Sequence, residues 1–115
     1  MSDLDQCSLC GLCKANCRIY RITLDESKGP RGKAQLMKAG KDTPLAYMCT
    51  LCRACKERCP MGLGFADDIL KARSRLNKRG EETKANRKMI ENIRKYGNPF
   101  GNLKKGEKPK ELYCC

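Results

Sequence analysis

The apolar positions of this chain recur with a helical period. Over residues 63–79, LGFADDILKARSRLNKR, Phe65, Ile69, Ala72 and Leu76 fall at i, i+4, i+7 and i+11, one stripe along a 3.6-residue repeat. Asp67 and Asp68 stand near the start of that segment and Lys78 and Arg79 near its end. The helix dipole favours that order, and Gly80 supplies a stop. Residues 81–96, EETKANRKMIENIRKY, predict a second helix, opened by Glu81 and Glu82 and closed by Arg94 and Lys95. Met89, Ile90, Ile93 and Tyr96 form its apolar face, suited to a core or to a docking surface. GNPFG at 97–101 ends it. Upstream, PRGKAQLMKAG at 30–40 reads as a short helix, with Pro30 just before its start and Gly40 at its stop. No stretch alternates apolar and polar residues for the length of a strand, so the expected fold class is mostly α.

Neither period explains residues 7–17, CSLCGLCKANC, or residues 49–60, CTLCRACKERCP. Cys7, Cys10, Cys13 and Cys17 stand in steps of 3, 3 and 4, and Cys49, Cys52, Cys55 and Cys59 repeat those steps. Leu9 and Leu51, Lys14 and Lys56, and Ser8 and Thr50 also correspond. This is an internal repeat of a ligand motif. Short turns around Gly11 are expected, because the cysteines must converge. With aromatics at 5% and charged residues at 33% of 115 residues, the hydrophobic core is thin. Small domains short of core use disulfides or metals.

Three chemistries compete for the repeat. Zinc sites space two pairs of ligands more widely, and the chain has no histidine for a mixed site. Disulfide frameworks belong to exported chains, whereas MSDLDQ at the start is polar and acidic, unlike a signal peptide. The third chemistry fits: C-x₂-C-x₂-C-x₃-C-P is the two-cluster ferredoxin run, whose fourth cysteine ligates the other cluster. The expected ligands are therefore Cys7, Cys10, Cys13 and Cys59 for cluster one, and Cys49, Cys52, Cys55 and Cys17 for cluster two, both [4Fe–4S]. The exchange would cross-link residues 1–20 with residues 45–60. Arg18 takes the place of the proline after the first motif, so the chain there is expected to turn differently and run into a helix. All iron corners would be filled by protein, which leaves no position for a substrate and implies a non-catalytic, electron-passing role.

Lys and Arg number 25 against 13 Asp and Glu, a net +12. That balance motivates an alternative, a basic nucleic-acid-binding protein with structural clusters. Few aromatics are present for base stacking and no groove-reading motif appears, so no nucleic-acid partner is expected. The basic residues at 71–88 suit a solvated helix face, or the steering of an acidic redox partner. No run approaches the roughly 18 apolar residues of a membrane span, and a cytoplasmic setting is expected, with peripheral membrane association left open. Cys114 and Cys115 read as two thiols on a tail.

The paired motifs, together with GPRGKAQLMKAG between them and NIRKYGNPFG after them, resemble the C/D-type iron–sulfur proteins of heterodisulfide reductases. That group includes the iron–sulfur subunits of glycolate oxidase and anaerobic glycerol-3-phosphate dehydrogenase. The resemblance covers most of residues 5–103. It implies an alpha-helical ferredoxin domain over residues 1–101 and a polar tail over 102–115. It further implies an electron relay between a flavin-bearing partner and a catalytic subunit with cysteine-rich CCG repeats, both outside this chain.

Overall fold

The computed structural model describes residues 3–110, and among them every regular element is a helix or a 3₁₀ turn. The helices are α1 (Arg18–Thr23), α2 (Pro30–Lys38), α3 (Ala54–Glu57), α4 (Phe65–Lys78) and α5 (Lys84–Tyr96). The chain divides into two compact units, Met1–Glu81 and Glu82–Cys115. All eight cysteines of the repeat lie in the first.

The first unit is built on α4. Phe65, Ile69, Ala72 and Leu76, the stripe read from periodicity, are all buried, the last three completely. Burying one such aliphatic side chain is worth about 1.5–3 kcal/mol. Leu4, Ala34, Ala46 and Tyr47 complete the cluster, and Cys7, Leu9, Cys49, Leu51 and Cys55 pack against it. The core is thus a small floor beneath both cysteine motifs. Asp42 locks the loop after α2 onto α4, accepting from Arg75 Nε at 2.6 Å and Nη2 at 2.8 Å. The bond to Arg75 holds the Asp42 carboxyl below its usual range.

α2 begins at Pro30, whose missing N–H costs nothing in a first turn. Gly32 is required by proximity: a Cβ there would lie 2.0 Å from the Glu26 carbonyl oxygen. As the missing proline suggests, Cys17 leads directly into α1, and its Sγ accepts from the Tyr20 N–H at 3.5 Å.

In the second unit, Thr83 rather than Glu81 opens the helix. Its hydroxyl accepts from the Asn86 N–H at 3.2 Å, so α5 starts at Lys84 and the glutamates precede it. Gly97 ends α5 at φ 73°. The turn beyond is tied back by Asn92 Nδ2 to the Pro99 carbonyl and by Asn98 Nδ2 to the Gly101 carbonyl, both at 2.9 Å. Cys114 and Cys115 lie outside the described residues.

Candidate metal centres

The sequence repeat is a backbone repeat. Each motif follows a 3₁₀ turn, Asp3–Gln6 or Pro44–Met48. The Cys7 N–H donates to the Leu4 carbonyl at 3.0 Å, and the Cys49 N–H to the Ala46 carbonyl at 3.3 Å. Lys14 N–H to the Gly11 carbonyl and Cys17 N–H to the Lys14 carbonyl are matched by Lys56 to Arg53 and Cys59 to Lys56. Leu9 and Leu51 both take left-handed φ, 58° and 57°. So do the next pair, Gly11 at 85° and Arg53 at 62°. A left-handed residue between cysteines curls the chain around a point instead of past it. It also aims amides at sulfur, as where Leu51 N–H donates to Cys49 Sγ at 3.4 Å. Such a conformation costs a side-chain-bearing residue roughly 1–2 kcal/mol. It persists where surroundings over-determine it, commonly at functional sites.

Exposure repeats as well: Cys10 and Cys52 are exposed, and the other six are half-buried free thiols. Among the described residues no three His, Cys, Asp or Glu side chains are gathered for a single metal ion. The cysteines line two cavities, as suits a cubane whose irons stand apart. The first cavity is walled by Cys7, Cys10, Cys13, Cys55 and Cys59, with Gly11, Arg31 and Met61. The second is walled by Cys17, Cys49, Cys52 and Cys55, with Arg18, Lys33 and Arg53. Cys55, Pro30 and Phe65 belong to both, so the cavities are neighbours. Among the described residues, four cysteines line the second cavity, Cys55 included.

The electrostatics suit a cationic core. Burial, then the neighbouring Cys55, Cys7 and Cys10 thiols, pushes the Cys13 thiol up to about 11. Burial, then Cys49 and Cys52, raises Cys55. Crowded thiols resist ionising together without a positive partner, and iron binding removes that resistance by deprotonating its ligands. Cys52 is the exception, lowered by the Ala54 N–H and the Thr50 side chain.

Several residues besides the cysteines also shape the site, and the sequence does not point to Lys33, Arg73 or Glu26 among them. Lys33 is 4% exposed and donates to the Lys28 carbonyl. Burial holds its ammonium below the usual lysine range, and Cys49, Cys17 and Cys55 oppose that shift only in part. Arg73 grips the second motif from α4 through the carbonyls of Ala46, at 3.1 and 3.0 Å, and of Tyr47 and Cys49. Glu26 accepts from Arg31 Nε at 2.7 Å and from Lys14 Nζ at 2.8 Å. Arg31 therefore rests on a carboxylate of its own chain. A Cβ on Gly11 would come within 2.8 Å of Arg31 Nη1, the end of a flexible side chain that can shift, so glycine is favoured there chiefly for its left-handed φ of 85°.

Residues 3–63 match the family model of the 4Fe-4S dicluster domain. The chain belongs to that family. Its cofactors are two [4Fe–4S] clusters, and its class is the iron–sulfur electron-transport proteins. The dicluster chain is 36% identical over 72 residues to the glycolate oxidase iron–sulfur subunit of Escherichia coli, covering 56% of this chain and 18% of that protein. It is 34% identical over 83 residues to the C-type iron–sulfur subunit of the CoB–CoM heterodisulfide reductase of Methanopyrus kandleri, covering 70% and 43%. The C-type subunit of the ferredoxin/F420H2-dependent CoB–CoM heterodisulfide reductase of Methanosarcina acetivorans is 35% identical over 72 residues, covering 62% and 45%. The dicluster chain spans less than half the length of each of these relatives.

Proposed function

We propose that this chain is a non-catalytic electron-transfer subunit of a heterodisulfide-reductase-like complex. It would pass single electrons between a flavin-bearing partner and a cysteine-rich, CCG-type catalytic subunit. The observation that carries the reading is the pair of neighbouring cysteine-lined cavities sharing Cys55, each with one exposed cysteine, Cys10 or Cys52. Neighbouring centres with separate exposed edges suit an electron arriving at one and leaving from the other. When bound, a [4Fe–4S] cluster accepts and releases one electron at a time. Cys7, Cys10, Cys13 and Cys59 hold one cluster; Cys49, Cys52, Cys55 and Cys17 hold the other. Four thiolates on each leave no corner for a substrate. The similarity to subunits of glycolate oxidase and of heterodisulfide reductases supports a role inside a larger oxidoreductase.

Residues 1–101 act in this reading as the iron–sulfur domain, and 102–115 as a polar tail. Eight free thiols suit a reducing, cytoplasmic setting. No helix among the described residues is long and apolar enough to cross a membrane.

Anaerobic purification tests the proposal. The expected product is a brown protein with about eight irons and eight acid-labile sulfides per chain, bleached reversibly by dithionite without loss of iron. It should copurify with a flavoprotein when isolated from its native source. A colourless, zinc-loaded protein would end the electron-transfer reading. Tight, salt-sensitive binding to nucleic acid would replace it with the alternative.

A further inference from the structure

The two cavities differ in how their cations are compensated. At the first, Arg31 is the cationic wall and shares the Glu26 carboxylate with Lys14, so one of two positive charges is cancelled there, and all three side chains are part-exposed and screened by water. At the second, Lys33 is the buried cationic wall, and its hydrogen bond goes to the Lys28 carbonyl, which carries no net charge. Arg73, behind the same motif, likewise spends its hydrogen bonds on the carbonyls of Ala46, Tyr47 and Cys49. Arg18 and Arg53 also wall the second cavity. Both are exposed, and Arg53 is paired with Asp67 at 3.2 Å, so water and salt screen them. A charge inside the protein acts through a lower dielectric and weighs more.

We infer that Lys33 sets the potentials of the two centres apart, making the cluster held by Cys17, Cys49, Cys52 and Cys55 the easier to reduce. The inference rests on the two-cluster reading. Reduction adds one negative charge to a centre. A buried positive charge stabilises that state and raises the potential, while a cation already matched by a carboxylate does so less. An electron leaving the first cluster, which is thereby oxidised by one electron, reduces the second by one. The resting place of a shared electron is then the second centre. Glu26 and Lys33 are the two residues that build the difference, one by cancelling charge and the other by leaving it uncancelled.

Redox titration of the anaerobic holo-protein, followed by paramagnetic resonance, tests this. Lys33→Met should lower the higher of two one-electron midpoints. At a fixed potential the reduced population of that centre should fall about tenfold, or ~59 mV for a one-electron couple. The lower midpoint should stay in place, and Lys33→Arg should restore the higher one. Glu26→Gln, at a side chain 40% exposed, should raise the lower midpoint by uncovering Arg31 and Lys14, so that the gap narrows from the other side. The inference is overturned if Lys33→Met moves neither midpoint, moves both equally, or moves only the lower. If Lys33→Met does not take up iron, Glu26→Gln decides alone, and an unchanged gap overturns it. Iron and sulfide contents of the same samples report on the two-cluster reading separately. Full clusters with an unmoved Lys33→Met midpoint would sink only the inference.

Discussion

Gly32 and the left-handed positions of the motifs show where single residues are dictated by geometry. At Gly32 a methyl group would meet backbone on the Glu26–Lys28 turn, which has no flexible end to swing away. We expect Gly32→Ala to cost about 3 kcal/mol, the upper range for overpacking, seen as a lower midpoint in anaerobic thermal melts and as faster loss of iron. The fifth positions of the two motifs should behave oppositely. Gly11→Ala adds left-handed strain, while the Arg31 guanidinium it meets can swing aside, and should destabilise by about 1–2 kcal/mol. Arg53→Gly relieves the same strain and gives up only the exposed Asp67 pair, so stability should be unchanged or rise by up to about 1 kcal/mol. The eight ligand candidates are legible as residues because their spacing is regular. Lys33 and Arg73 are not. A lysine or arginine in a basic chain reads as solvated until the fold buries its stem and supplies carbonyls for its head.

At the level of elements, α4 is legible in the sequence and the start of α5 is displaced from where the charges put it. The stripe of α4 is long and its period clean, and the same four residues floor the first unit. Leu76→Ala should therefore cost about 2–5 kcal/mol and release iron from both motifs, since both rest on that floor. Glu81 and Glu82 have the charge of a first turn, while the hydroxyl of Thr83 makes the cap. Thr83→Ala should cost about 1 kcal/mol. Amide hydrogen exchange should quicken in the first turn of α5 and leave the protection of α4 unaltered. The 3₁₀ turns before Cys7 and Cys49 have no signal in the sequence. They are four- and five-residue elements too short to show an apolar period, although Leu4 of the first and Ala46 and Tyr47 of the second are buried in the core.

For the molecule as a whole, one backbone device is used twice, and the proposed ligand exchange would join the two copies. Leu4 and Ala46, at equivalent places in the repeat, are both buried in one core, so the two motifs share a foundation. Cys59 lines the cavity of the first motif and Cys17 that of the second. Folding of the cluster-bearing unit and cluster assembly should then be one event, with each half incomplete until the other supplies its fourth sulfur. The most direct measurement compares the paramagnetic resonance spectra of the reduced Cys59→Ser, Cys17→Ser, Cys10→Ser and Cys52→Ser proteins. We expect Cys59→Ser to alter the signal that Cys10→Ser alters, and Cys17→Ser to alter the signal that Cys52→Ser alters. If Cys59→Ser instead shares its altered signal with Cys52→Ser, and Cys17→Ser with Cys10→Ser, each motif closes on its own cluster and the crossed arrangement is wrong.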